Sequence, residues 1–157
     1  MSGKIDARLK ELGIDLPSAM PPVANYVPYV ATGALVVVSG QVPAVNGKIA
    51  ITGKVGEGVS IEEGQRAARL CLMNVLTHLR TACAGDLDRV VRVVRLGGFI
   101  ASPPAFTDHA KVMNGASDLA VEIFGEAGRH ARTTIGVPAL PLDAAVEVEG
   151  LFEIAPG

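Results

Sequence analysis

The sequence predicts a single α+β domain in which a mixed β-sheet carries two helices on one of its faces. Three observations predict this fold class. Strand-like segments precede, separate and follow two long helical segments, each helical segment has one broad apolar stripe, and no linker, repeat or low-complexity tract interrupts the chain. The 157 residues are the usual length of one domain. The second face of the sheet is then left uncovered within one copy of the chain.

The N-terminal half begins with a short helix and a connector. Residues 4–13 have a helical apolar stripe that ends at Gly13, and the prolines that follow favour extended backbone. Asn46-Gly47 predicts a hairpin turn. Strands are predicted over residues 29–32, 35–42 and 48–52. The second of these is apolar on both faces and is therefore expected to be buried.

A capping box opens the first long helix. Ser60 stands at the N-cap and Glu63 follows three residues later, so we expect a helix from this point to about residue 84, where Gly85 ends it. The remaining elements are predicted as a buried strand over 90–101, a helix over 106–124, and two closing strands over 132–137 and 145–154.

The composition argues against two classes of partner. Hydrophobic residues make up 49% of the chain and charged residues only 19%, with a mean hydropathy of +0.38. We therefore expect part of the apolar surface to be buried between subunits. The net charge of −2 and the pI of about 5.9 provide no basic footprint for a nucleic acid. No apolar run reaches the ~20 residues that span a bilayer, so no membrane partner is expected.

The cysteines and histidines predict neither a disulfide nor a metal site. Cys71 and Cys83 lie on one predicted helix, about 18 Å apart at about 1.5 Å per residue, which is too far for a disulfide. They are expected to be buried thiols in a reducing compartment, and the N-terminus has no secretory segment, which together favour the cytoplasm. No pair of histidines or cysteines has the spacing of metal ligands.

The last two strands carry the side chains that indicate chemistry. Strand side chains alternate between faces, so apolar residues such as Ile135 are expected to face the helices, with Arg132 and Thr134 facing away. The same argument places Glu147 on the uncovered face. If that face packs on a neighbouring subunit, Arg132 becomes a partly buried cation suited to bidentate binding of a carboxylate. The alternative is a surface ion pair between the arginine and a glutamate, which contributes little.

Two segments resemble a known family. The first is LVVV followed by SGQVP at residues 35–43, and the second is HARTT at 130–134, with ALP at 139–141 and VEVE at 146–149. In this order and spacing they resemble the RidA family of reactive-intermediate deaminases, also called the YjgF family and historically labelled endoribonuclease L-PSP. The resemblance covers roughly residues 26–155. Residues 1–25 then form an N-terminal helix-and-connector extension of the single domain 1–157.

The resemblance implies a chorismate-mutase-like fold assembled as a homotrimer, with a pocket between each pair of neighbours. It also implies hydrolysis of enamine or imine metabolites to a 2-keto acid and ammonia, without a cofactor. Arg132 would bind the carboxylate of this small-molecule substrate, and Glu147 would position or activate the attacking water. Tyr29 of the adjacent subunit would close the pocket, while Gly40 and the backbone of Thr134 would supply polar contacts.

Two further functions stay open at this point. The first is a non-catalytic trimer that binds small carboxylates such as 2-keto acids through the same arginine. The second is the inherited endoribonuclease label, which an acidic chain with few aromatic residues fits poorly. Thr134 stands where many members of the family have cysteine, so no thiol-dependent role is expected.

Overall fold

The computed structural model describes residues 3–19, 21–22 and 24–157, so four residues of the predicted extension, 1, 2, 20 and 23, lie outside the described residues. The α-helices are α1 (Lys4–Glu11), α2 (Ile61–Ala82) and α3 (His109–Phe124). The strands are β1 (Tyr29–Thr32), β2 (Leu35–Gln41), β3 (Ala44–Val45), β4 (Lys48–Ile49), β5 (Lys54–Val55), β6 (Gly58–Val59), β7 (Val90–Ala101), β8 (Ala131–Val137) and β9 (Val146–Ile154). Within the described residues, no helix is both long and apolar enough to cross a membrane.

The main sheet has five strands in the order β1-β2-β9-β7-β8. Its pairs are antiparallel except for β7 and β8, which run parallel, so the sheet is mixed as the sequence predicts. α2 packs against β2 and β9, and α3 packs against β7 and β8. The core lies between these two helices and the sheet. The predicted α+β architecture is therefore confirmed.

The hairpin after β2 is separate from this sheet. Asn46 and Gly47 have φ values of 51° and 78°, the left-handed pair that a two-residue hairpin turn requires. However, the strand predicted over 48–52 is only Lys48–Ile49, and it pairs with Ala44–Val45 rather than with the main sheet. The prediction of a third sheet strand is wrong. Pro43 directly precedes β3 and has no backbone N–H for a further ladder hydrogen bond, so the chain leaves the sheet there.

Both long helices begin at polar residues. Ser60 Oγ accepts a hydrogen bond from the backbone N–H of Glu63 at 3.1 Å, and Glu63 Oε2 accepts one from the Ser60 N–H at 2.8 Å, which confirms the capping box. The second long helix begins at His109, with Asp108 at its N-cap, and not at residue 106 as predicted. The Phe106 N–H instead donates to Pro103 O in a turn that precedes the helix.

The uncovered face of the sheet exposes apolar side chains. On β9 the buried residues face the helices, and Glu147, Glu149 and Glu153 alternate with them on the other face, as predicted. That face also carries Val37 and Ile135, whose side chains are 48% and 47% exposed. The uncovered face therefore carries both exposed apolar side chains and the carboxylates of β9.

The face predicted for the residues of β8 is wrong. Arg132 pairs with Leu96, which is fully buried under the helices, and side chains of directly paired residues share a face. Arg132 therefore faces α3, and so do Thr134 and Gly136, while Ile135 lies on the uncovered face. The predicted faces of β8 are the reverse of the observed ones because the prediction assumed that apolar side chains face the core of a single copy of the chain.

The packing of α3 explains why small residues occupy the helix-facing side of β8. A Cβ at Gly136 would collide with His109 Nε2 and would lie 2.8 Å from Ser102 Oγ. Glycine is therefore needed for the first turn of α3 to approach the strand closely. Both cysteines, Cys71 and Cys83, are buried and free, as predicted.

Candidate functional site

A cavity of about 420 Å³ surrounds the carboxylate of Glu147. Its wall combines the proline-rich connector before β1, the end of β2, one face of α2 and the loop that precedes β9. Gly40 and Gln41 line it beside Glu147. The volume lies in the range of small-molecule sites. The sequence-predicted residues Gly40 and Glu147 are thus brought together.

A β-bulge places Gly40 against the glutamate. Val38 pairs with Gly150 and Gln41 pairs with Val148, so two residues of β2 lie opposite one residue of β9. A Cβ at Gly40 would lie 2.6 Å from Glu147 Oε2. Glycine therefore leaves the space that the carboxylate occupies.

The surroundings of Glu147 favour its protonated form. Burial raises the pKa of the Glu147 carboxyl above its ordinary value of 4.5, and the nearby negative charge of Glu149 raises that pKa further. Burial and the charge of Glu147 together raise the pKa of the Cys71 thiol as well. A carboxyl group that lines a cavity and has a raised pKa is a candidate general acid or base.

Two loops hold the wall of the cavity. Ser39 Oγ donates to Val27 O at 2.8 Å, and the Ser39 N–H donates to Pro28 O at 2.9 Å, which fixes the connector on the end of β2. On the opposite side, Leu142 and Asp143 have φ values of 59° and 58°. Successive left-handed residues that are not glycine are strained, and such strain is frequent beside binding sites.

Arg132 lies elsewhere and is fixed by neutral acceptors of α3. Its Nη1 donates to Asn114 Oδ1 at 2.8 Å and to Ser117 Oγ at 3.1 Å, and its Nη2 donates to Ala110 O at 3.2 Å. In the described part of the chain, no carboxylate lies within ion-pairing distance of this guanidinium. Its charge is therefore uncompensated while its position is fixed.

Arg132 and Glu147 do not meet within one copy of the chain. Arg132 pairs with Leu96 and Glu147 pairs with Phe99, on opposite sides of β7 and on opposite faces of the sheet. Three residues along and two strands across correspond to about 14 Å between their Cα atoms. One protomer alone does not form a site that contains both side chains.

The other two predicted residues also face the helices. Tyr29 pairs with the buried Val38 and packs partly buried against the core, outside the cavity of its own protomer. Thr134 Oγ1 is buried, and no hydrogen-bond partner reaches it among the described residues. Neither side chain contributes to the Glu147 cavity in one copy.

Sequence reasoning missed two polar residues of the cavity, Asn74 and His78. They are spaced by four residues on α2, so they lie one turn apart on the same helix face. Both are buried, with 7% and 4% of their surface exposed. Two polar residues within the apolar stripe of a helix are the signal that could have identified them.

Other groups of side chains lie outside this cavity. His130 Nδ1 donates to Gly128 O, and its Nε2 accepts from Ser117 Oγ at 2.9 Å, so His130 lies beside Arg132 at a shallow depression of about 310 Å³. A wider depression of about 560 Å³ along α2 contains none of the predicted residues. Within residues 3–19, 21–22 and 24–157, no three His, Cys, Asp or Glu side chains come together as a metal-binding group.

Comparisons with known proteins agree with the resemblance seen in the sequence. A family model described as "YjgF/chorismate mutase-like, putative endoribonuclease" matches residues 6–154. Protein TCP17 of Trypanosoma cruzi is 49% identical over 154 residues, which are 98% of this chain and 96% of that protein. The crystal structure of Atu1372 from Agrobacterium tumefaciens, a protein of unknown function, has a TM-score of 0.90 at 48% identity and covers 96% of this chain and 92% of its own. The crystal structure of E. coli TdcF with bound serine has a TM-score of 0.60 at 25% identity, with 88% and 93% coverage.

Proposed function

The chain belongs to the YjgF/chorismate mutase-like family, and on this premise we propose that it hydrolyses enamines or imines to 2-keto acids and ammonia. The observation that carries the proposal is the Glu147 carboxyl, which has a raised pKa and is held against Gly40 in a cavity of small-molecule size. Such a group can remove a proton from water and return it to a leaving nitrogen.

The reaction needs little beyond this group. A water molecule adds to the imine carbon while the Glu147 carboxylate accepts one of its protons. The nitrogen takes that proton, which gives a neutral carbinolamine. The Glu147 carboxylate then passes the hydroxyl proton of the carbinolamine to the nitrogen, the C–N bond breaks with its electron pair going to nitrogen, and ammonia leaves as the C=O bond forms. Imines hydrolyse readily, so the main contributions are the orientation of the two reactants and the transfer of the two water protons.

Arg132 is proposed to bind the substrate carboxylate. Three neutral acceptors fix its guanidinium, and they leave Nε–H and one Nη2–H for a ligand. A fixed guanidinium without a carboxylate partner favours a carboxylate ligand, which it holds by charge-assisted hydrogen bonds. TdcF, which shares the fold, is seen with serine, and serine carries the same carboxylate group as the proposed substrate.

A site with both residues requires a second copy of the chain. Within one copy Arg132 and Glu147 are separated by about 14 Å and by the sheet itself. β8 and β1 are the two edges of the sheet, and the face between them exposes Val37 and Ile135. We therefore propose a homotrimer in which Arg132 of one protomer meets the Glu147 cavity of the next. Tyr29, on the edge strand β1, and the backbone of Thr134 on β8 would complete the pocket between them.

The test is release of keto acid and ammonia from an imine generated in situ, compared among the wild type, Arg132→Ala and Glu147→Gln. The proposal predicts rapid release by the wild type and loss in both variants. A wild type no faster than Arg132→Ala would reject it. If Glu147→Gln binds pyruvate as the wild type does and neither protein turns over an imine, the protein is a carboxylate-binding trimer.

A further inference from the structure

The wall of the Glu147 cavity includes two polar side chains that the hydrolysis does not use. Asn74 Nδ2 donates to Val42 O at 3.0 Å and to Ala44 O at 3.1 Å, which leaves Asn74 Oδ1 as an acceptor. Among the described residues, no hydrogen bond reaches this oxygen or either ring nitrogen of His78. Both residues are more than nine-tenths buried and line the cavity.

A ligand in the cavity can form hydrogen bonds with these two residues, because both line its wall. Burial lowers the pKa of His78, so its ring is neutral at pH 7 and has one donor and one acceptor nitrogen. The wall of the cavity therefore offers one acceptor from Asn74 and both hydrogen-bonding functions from His78.

The cavity has room for more than a very small ligand. Its volume of about 420 Å³ lies in the range of sites that bind small molecules. The imine of alanine has about six non-hydrogen atoms, and a larger 2-imino acid would fill more of this space. Most of the other lining residues are apolar, with Pro22, Tyr26, Val42 and Ala44 among them.

We propose that the ligand is a 2-imino acid with an aromatic side chain that ends in a hydroxyl group. The hydroxyl donates to Asn74 Oδ1 and accepts from the ring N–H of His78, and the aromatic ring lies along the apolar wall. The imine of tyrosine has this chemistry, and its ~13 non-hydrogen atoms fill more of the cavity than the imine of alanine does. The inference rests on the proposed function, because that function places the reacting carbon at Glu147.

The first experiment measures binding without turnover. Calorimetric titration of the 157-residue chain compares p-hydroxyphenylpyruvate with phenylpyruvate, two stable keto acids that differ only in the hydroxyl group. We expect at least about tenfold tighter binding of the hydroxylated acid, which is the effect of about 1.4 kcal/mol. In His78→Phe, which keeps an aromatic ring without nitrogen, this preference should fall to about twofold or less. His78→Gln, which keeps a donor and an acceptor, should recover part of it. Equal affinities of the wild type for the two acids would overturn the proposal.

The second experiment separates this inference from the proposed function. Imines of alanine, phenylalanine and tyrosine are generated in situ by an amino-acid oxidase, and kcat and KM are measured for each. We expect the lowest KM for the tyrosine imine. In His78→Phe this KM should rise towards that of the phenylalanine imine, because the ring nitrogens that bond the hydroxyl group are removed. Turnover of the alanine imine without any hydroxyl preference leaves the proposed function and rejects the inference. Tighter binding of the hydroxylated acid without turnover of any imine supports the ligand assignment and rejects the proposed hydrolysis.

Discussion

Substitution of Gly40 by alanine is the sharpest perturbation of the Glu147 carboxylate that leaves the glutamate itself in place. The φ of Gly40 lies outside the left-handed region, so its backbone accepts alanine without strain. The added Cβ would lie 2.6 Å from Glu147 Oε2 and 2.9 Å from its Cδ. An ordinary contact is at about 3.5 Å, so the carboxylate must withdraw by about 0.9 Å.

The expected cost falls on the reaction and not on the fold. A catalytic group misplaced by about 1 Å costs up to about 100-fold in rate, so kcat should fall by about 10- to 100-fold. The carboxylate is the far end of a flexible side chain and can move, so the free energy of unfolding should change by less than about 1 kcal/mol. The assay is imine hydrolysis at saturating substrate, with urea unfolding and oligomeric state measured on the same samples.

Gly97→Ala is the matched control. Gly97 lies on the same sheet face, and a Cβ there would lie 2.7 Å from Glu149 Oε1, so the substitution displaces a glutamate that does not line the cavity. The charge of Glu149 affects the pKa of Glu147, so we expect kcat of this variant to fall less than that of Gly40→Ala, by about threefold at most. A folded, assembled Gly40→Ala protein with undiminished kcat would refute the role given to Glu147. An equal loss in both variants would show that the effect is not specific to that carboxylate.

Three further predictions concern binding, pH dependence and stability. Arg132→Ala should weaken pyruvate binding by about 30- to 100-fold in calorimetry, because it removes charge-assisted hydrogen bonds that contribute about 2–3 kcal/mol. Arg132→Lys should lose only part of the affinity, because lysine keeps the positive charge but lacks the planar guanidinium group. Glu147→Gln should melt at a higher temperature than the wild type at pH 8. The pKa of Glu147 in the native protein lies above its ordinary value of 4.5, so the stability of the wild type falls as the pH rises from the ordinary pKa to the native pKa. The difference in melting temperature should therefore vanish below about pH 4, where both forms of the protein are neutral at this position. Ser60→Ala should lower the free energy of unfolding by about 1 kcal/mol in urea without affecting kcat, because it removes the N-cap acceptor of the Glu63 N–H.

Local signals were sufficient for most of the elements. The capping box at Ser60 and the turn at Asn46-Gly47 specify their geometry through neighbouring residues, so they could be predicted without the rest of the chain. The start of α3 could not be placed to the residue, because Phe106 continues the helical pattern while its N–H is used in a turn with Pro103 O. The parallel pair formed by Lys54–Val55 and Gly58–Val59 has no periodicity of its own from which to predict it.

The face of β8 shows where sequence periodicity was insufficient. Alternation correctly separated Arg132 from Ile135, but it does not say which set faces the helices. The assumption that apolar residues face the core failed because Ile135 lies on a sheet face that one copy leaves uncovered. Gly136 was the signal in the sequence that could have corrected this prediction. A glycine is needed where a helix packs closely on a strand, whereas an open sheet surface has room for a side chain.

The candidate site was predictable only in part for the same reason. Glu147 and Gly40 adjoin because two paired strands and a bulge bring them together, and their motifs were recognised in the sequence. Asn74 and His78 reach the cavity from a helix, and that contact depends on how α2 lies across the sheet. The position of α2 on the sheet depends on the packing of the whole core. The only indication of this contact in the sequence is the four-residue spacing of Asn74 and His78.

The central claim is that Arg132 of one protomer works with Glu147 of another, and mixed oligomers test it most directly. Arg132→Ala and Glu147→Gln, each inactive alone, are co-expressed in equal amounts, and mixed assembly is verified by native mass spectrometry. If neighbouring protomers share each site, about one quarter of the sites receive both native residues, and about a quarter of the wild-type rate should return. Mixed oligomers that stay as inactive as the two parents would contradict the account.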